Sequence, residues 1–220
     1  MQDRISLYVD GGNFYHLVLK KLAVGELDFD FEGFVQFLAD GRTIVPMGKR
    51  IYVGTVRERE GDIRSKEAMS RQRKFFTELT KTHWEIKTSK LRMRREEIRI
   101  DDRVEHYEKI LQLGVRSITI ERQREKGIDV KLATDLIAGA VDKKYDTAIV
   151  VSSDADLVPA IDWVRNRGLA KIEYVGFSIP DQFDATKNTR PLLSLMNRTD
   201  IQRTLVESDV RKFIRPKLIS

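Results

Sequence analysis

Two patterns of apolar spacing alternate along the chain. Short, mostly apolar runs at Ile5–Val9, Arg50–Val56, Trp84–Thr88, Asp146–Val151 and Lys171–Phe177 read as strands. Asp146–Val151 (DTAIVV) is so apolar that it reads as a central parallel strand covered on both faces. Between these runs, apolar residues recur at helical spacing. Leu17, Val18 and Leu22 mark a helix over Phe14–Leu22. Phe31, Phe34, Val35 and Leu38 mark another over Phe31–Ala39, closed by Gly41. Ile63–Leu79 reads as a helix with charge on most faces. A stripe of Leu132, Ala133, Leu136, Ile137 and Ala140 follows Asp129. Further helices are expected over Leu157–Arg167, ended by Gly168, from Pro191 to Met196, and over Val206–Ile214.

The stretch 89–125 departs from this rhythm. Leu91, Met93, Ile98 and Ile100 suggest an extended hairpin, Val104–Leu113 a helix, and Val115–Ile120 a strand. Strands alternating with helices imply right-handed crossovers and a mostly parallel sheet. The expected fold is therefore an α/β three-layer sandwich with one elaboration near 89–125. No Pro/Gly/Ser-rich linker divides the chain, so one domain is expected over 1–220, with its core about 5–200.

Composition narrows the chemistry. There is no cysteine, which excludes disulfides, thiolate zinc sites and cysteine nucleophiles. The three histidines, His16, His83 and His106, are too few for a histidine-rich metal site. No signal-peptide run and no long apolar span are present, so the expected location is the cytoplasm, without a membrane. The net charge of +6 favours a polyanion, and nucleic acid is the commonest polyanion in a cytoplasm.

Two predicted strands end in acids: Tyr8-Val9-Asp10-Gly11-Gly12-Asn13 and Val151-Ser152-Ser153-Asp154-Ala155-Asp156. In a parallel sheet, ligands bind beyond the carboxyl ends of strands, where the strand order reverses. Glycines after Asp10 let the backbone turn sharply and leave room for a ligand. A crossover helix runs antiparallel to its strand, so Asp129, at a helix start, falls on the same edge. Clustered carboxylates repel each other unless a cation sits among them. A hard ion such as Mg2+ or Mn2+ resolves that repulsion and assists phosphodiester cleavage. Singly, each acid also suits a plainer role: Asp10 in a turn, Asp154 as a helix cap, Asp156 and Asp129 as first-turn acids.

The three motifs resemble those of the NYN domain family, a branch of the PIN-like nuclease superfamily. Y-V-D-G-G-N-F-Y resembles its opening strand, E-K-G-I-D-V-K-L-A-T-D-L-I its central motif, and Y-D-T-A-I-V-V-S-S-D-A-D-L its strand ending in S-G-D-S-D-F. The resemblance implies a flap-nuclease-like fold and Mg2+- or Mn2+-dependent hydrolysis, mostly of RNA. It implies a catalytic and metal-binding cluster of Asp10, Asp129, Asp154 and Asp156. Asn13 would brace the first acid, and Asp135 would support from the central helix. Ser152 and Ser153 flank the cluster, and Ser153 stands where the family has glycine. Leu157 replaces the family's phenylalanine.

Basic residues form two groups. Arg57, Arg59, Arg64, Lys66, Arg71, Arg73 and Lys74 make the first. Lys90, Arg92, Arg94, Arg95, Arg99 and Arg103 make the second, where alternation with Leu91 and Met93 suits a strand following phosphates. A charged edge that discourages strand pairing explains the same pattern. Lys126 beside the acids suits a phosphate contact or a solvated loop. Tyr15, near the glycines, is the candidate for base stacking. Two other functions fit: an RNA-binding or assembly module, and another metal-phosphate enzyme using the Asp154-Ala155-Asp156 pair. No dinucleotide or P-loop motif is present. Homo-oligomerisation is left open.

Overall fold

The computed structural model describes residues 2–56, 61–90, 92–124 and 127–216. Strand β1 (Arg4–Asp10) is buried from its second residue onward. Its side chains feed two cores in alternation. Ile5, Leu7 and Val9 enter one, and Tyr8 enters the other. A strand with apolar contacts on both faces belongs at the centre of a parallel sheet. There β1 lies between β2 (Thr43–Thr55) and β6 (Thr147–Val151). Strand β3 (Glu85–Lys90) extends the sheet beyond β2, while β7 (Lys171–Ser178) and β8 (Ile201–Val206) extend it beyond β6. All five pairings are parallel, in the order β3-β2-β1-β6-β7-β8.

Helices cover both faces. On one side α1 (Gly11–Phe14), α2 (Phe31–Ala39) and α3 (Ile63–Lys81) supply Phe14, Phe34, Phe75 and Leu79 to the first core. On the other, α5 (Ile128–Val141), α6 (Val158–Asn166) and α7 (Leu193–Met196) supply Leu132, Leu136, Ile161 and Leu195 to the second. The expected three-layer sandwich is present. From β1 the strands spread one way and from β6 the other, so the switch point lies between these two.

Several elements differ from expectation. The chain after Asp10 does not turn before its helix. Helix α1 starts at Gly11 and passes into a π-helical turn at Tyr15–Leu19, with Lys20 N donating to Tyr15 O at 2.8 Å. Strand β2 begins well before Arg50. It runs through a bulge at which Leu7 faces Lys49 although Ile5 faces Ile44. Pro46 and a positive φ at Met47 mark that bulge. Strand β8 was not expected, because only Leu205 in it is buried. The last helix is correspondingly shorter: α8 covers Glu207–Arg211 instead of Val206–Ile214.

The 89–125 stretch holds β4 (Arg92–Arg99), α4 (Tyr107–Gln112) and β5 (Ser117–Arg124). β4 and β5 pair antiparallel as a separate two-stranded sheet. Among the described residues, no helix is long and apolar enough to cross a membrane.

Candidate metal and nucleic-acid site

Asp10 ends β1, and α1 starts at the next residue. That abrupt passage needs Gly11: a Cβ there would stand 2.6 Å from Val53 Cγ2 and 3.1 Å from Tyr52 O. The glycine thus serves close approach to β2, not the sharp turn expected of it. The Asp10 carboxylate is 4% exposed and caps α1. Oδ1 accepts from Asn13 N at 3.0 Å, and Oδ2 accepts from Asn13 Nδ2 at 2.5 Å and from Ser152 Oγ at 3.1 Å. Burial pushes the Asp10 carboxyl up, the donors on Asn13 and Ser152 pull it down, and the charge of Asp154 pushes it up again.

Ser152 links the two strand ends. Its Oγ donates to Asp10 and accepts from Asp154 N at 3.2 Å. Asp154 Oδ1 accepts from Asp156 N at 2.9 Å, capping a 3-10 turn at Ala155–Leu157 that leads into α6. The plainer cap role is therefore real for both Asp10 and Asp154, and it coexists with their place at the switch point. Ser153 is half-buried and lines a narrow recess with Asn13, Leu17 and Phe177. Asp156 is exposed.

Asp129 is the second residue of α5, whose N-terminus faces this edge. Burial pushes its carboxyl up first, and the charges of Asp10, Asp154 and Asp156 push it further. Asp129 is thus near enough to Asp10, Asp154 and Asp156 for their charges to act on it. Among the described residues none of the four makes an ion pair, and no three acidic or histidine side chains form a ready metal-holding group. They share an edge without closing into one coordination shell. Like-charge repulsion favours that spacing.

The folded-state values of Asp10 and Asp129 lie above the unfolded one, so the native state holds those protons more tightly. Stability is then greatest with the groups protonated and falls as pH rises through the window between unfolded and folded values. Asp129 is half-exposed, so the effect is discounted for solvent screening. In chelator at neutral pH, Asp129→Asn is expected to melt about 2 °C above the parent protein. The gain should vanish near about pH 3, where aspartates are protonated in both states. Scanning calorimetry across pH checks this, and identical melting curves at neutral pH would contradict it.

Asp135 lies apart from the rim. Tyr52 OH donates to its Oδ2 at 2.9 Å, Lys87 Nζ stands 3.6 Å away, and Tyr8 OH donates to its carbonyl at 3.3 Å. These contacts fasten α5 onto β1 and β2, which fixes the helix that carries Asp129.

The expected arginine trio divides. In the hairpin, position 92 faces 124, 94 faces 122, 96 faces 120 and 98 faces 118. Cross-strand partners share a face, so positions 92, 94, 122 and 124 lie together, followed by Glu96. Arg95 is on the opposite face, where Nε pairs with Glu121 Oε1 at 2.8 Å. Arg122 and Arg124 were not singled out in sequence, although their period-two spacing signals one strand face. Lys126, Arg57, Arg59 and Leu91 lie outside the described residues, as do the side chains of Lys90, Arg92, Met93, Arg122 and Arg124. Arg64, Lys66, Arg71, Arg73 and Lys74 are exposed on α3. Tyr15 is half-buried, edge-on to His16, and borders a recess of about 480 Å3 beside Gly11 and Gly12 that Arg71 also lines.

No curated protein matches the chain. In architecture it is similar to the crystal structure of a protein of unknown function from Vibrio parahaemolyticus. That match has a TM-score of 0.53 at 18% identity, covers 93% of each chain, and speaks for the fold alone. The NYN domain matches residues 4–191, which takes in the strand ends bearing Asp10 and Asp154 and the helix bearing Asp129. The chain therefore belongs to the NYN domain family of the PIN-like nuclease superfamily.

Proposed function

We propose that this protein hydrolyses phosphodiester bonds of RNA with Mg2+ or Mn2+ at the edge formed by Asp10, Asp129, Asp154 and Asp156. The observation that carries this reading is geometric: Asp10 and Asp154, at the ends of adjacent parallel strands beside the switch point, are joined through the Ser152 hydroxyl. The donor set fits a hard cation, since Mg2+ takes one or two carboxylates and fills its remaining positions with water and phosphate oxygens. Asp10 and Asp154, joined through the Ser152 hydroxyl, are the best-placed pair to hold it, with Asp129 and Asp156 around them. When bound, such an ion supplies Lewis acidity and neutralises phosphodiester charge.

The chain's own residues have distinct tasks. Asn13 and Ser152 donate to Asp10, which orients it and offsets part of the cost of its burial. Asp135 and Tyr52 hold α5 so that Asp129 stays at the rim. Ser153, half-buried at the mouth, narrows the approach of the scissile phosphate or donates to it. Arg94, exposed on β4, is placed to meet a phosphate backbone.

A second reading is an RNA-binding module. It is favoured by the lack of a ready three-acid group among the described residues and by Ser153. Incubation with labelled single- and double-stranded RNA and DNA, in Mn2+ or in chelator, separates the two. Cleavage of RNA that needs Mn2+ is expected. RNA bound but never cut would leave the module reading in place.

A further inference from the structure

The loop after β7 holds a phenylalanine out in water. Phe183 is 96% exposed, the most exposed large apolar side chain described. A slack loop would let such a side chain fold back onto apolar surface, since burying a phenylalanine is worth roughly 1.5–3 kcal/mol. This loop is not slack. At its base, Ile179 N donates to Thr189 O at 3.1 Å and Thr189 N returns to Ile179 O at 2.9 Å. Thr189 Oγ1 donates to Leu17 O at 2.6 Å, tying that base to the turn after α1. Within the loop, Asp181 Oδ1 accepts from Phe183 N and Asp184 N, both at 3.1 Å. Lys21 joins helix to loop through Asp181 Oδ2 at 3.4 Å and the carbonyl of Lys187. The backbone that presents Phe183 is thus braced on both sides.

Three lysines stand around Phe183, two of them paired with loop acids and Lys20 exposed. Phe183 borders a cavity of about 590 Å3 lined also by His16, Lys20, Lys21, Asp181 and Lys187. Its one acid is already turned inward to Lys21 and to backbone donors. Lys20 projects into solvent, and Lys187 reaches only the loop's own Asp184 at 3.0 Å. The cavity adjoins the acidic edge, for Leu17 lines both it and the recess bounded by Asn13, Ser152 and Ser153. His16 stands about 9 Å along the helix from Asp10.

We propose that Phe183 and the lysines around it form a stacking platform for one base of a single-stranded nucleic acid, leading that strand to the acidic edge. This rests on the reading of that edge as a nuclease site and deepens it, by naming single strands as the substrate. A nucleotide fits both features: its π-face stacks on an exposed ring and its phosphate meets ammonium groups. A base paired inside a duplex has no free face to offer, so the platform selects against duplexes.

The test is fluorescence anisotropy of labelled oligouridine, and of an RNA duplex of equal length, with the full chain in chelator. Binding is then read without any cleavage. Phe183→Ala is expected to weaken oligouridine binding about five- to a hundredfold and to leave duplex binding unchanged. Phe183→Trp, which keeps a ring, should retain binding. Phe183 touches too little to support the fold, and matching melting curves confirm it. Equal affinity of the parent protein and Phe183→Ala for oligouridine overturns the platform, as does an equal loss for single strand and duplex. A change only in self-association or in vesicle binding overturns it too. Weakened binding by Phe183→Ala in a protein that cuts nothing in Mn2+ would keep the platform and remove the nuclease reading. Cleavage in Mn2+ with unaltered Phe183→Ala binding would do the reverse.

Discussion

Asp10→Asn and Asp154→Asn are each expected to slow Mn2+-dependent RNA cleavage by about a hundred- to a thousandfold while the protein stays folded. The size of the loss comes from the charge. Each substitution removes a full negative charge from the edge where a cation would be held, and a metal contributes several kcal/mol to phosphoryl-transfer chemistry. Retention of the fold comes from the caps. An asparagine at 10 still accepts from Asn13 N through its oxygen, and one at 154 still accepts from Asp156 N. Asparagine equals aspartate as an N-cap, so neither helix start is weakened. At 10 the new amide faces the Asn13 amide, which accommodates by rotating about its last torsion. Timed cleavage of labelled RNA, beside circular dichroism of the same samples, reads both effects. Undiminished cleavage by both variants would defeat the proposed site.

The second large effect concerns stability and lies at the opposite end of the sheet. Glu173 in β7 is fully buried, and its Oε2 accepts from Arg42 Nη1 at 2.7 Å. Arg203 Nε approaches Oε1 at 2.6 Å, off the line of a hydrogen bond, so that contact is one of charge. Arg42 also donates to the carbonyls of Ala39 and Leu38, each at 2.9 Å, which ends α2 and opens the path into β2. Removing Arg42 leaves a buried carboxylate half-compensated, and such breaks cost about 3–5 kcal/mol. Arg42→Met is expected to lower the melting temperature by roughly 6–20 °C in a chain of this size. Replacing both partners at once, with Arg42→Met and Glu173→Met together, should recover part of that loss, because the buried carboxylate is gone and the partly exposed Arg203 still has Asp40 4.0 Å away. RNA cleavage per folded molecule should not change, since Arg42 precedes β2 at the edge away from Asp10. A melting temperature within a degree or two of the parent protein for Arg42→Met would show that Arg203 compensates Glu173 alone.

Much of the candidate edge could be read before any fold was known. Apolar runs ending in Asp10 and Asp154 are local signals, and the alternation of strand and helix puts strand ends on one side. The helix start at Asp129 follows from the same geometry. Other features depended on elements meeting. β8 is held by backbone pairing to β7, while Gln202, Arg203 and Thr204 give it no apolar alternation to detect. The bulge in β2 is set by where Leu7 pairs. Gly11 is glycine because Val53 comes within contact distance, which α1 alone would not reveal.

The arginines show the division most clearly. Spacing put Arg92 and Arg94 on one face, but their company with positions 122 and 124, and the diversion of Arg95 to Glu121, came from an antiparallel register. Amino-acid order determined which elements form and which ends carry acid, because periodicity and caps act within a few residues. Tertiary structure decided how near the acids come, that Arg95 meets Glu121, and that Phe183 is held in solvent, because these depend on pairing and packing between distant segments.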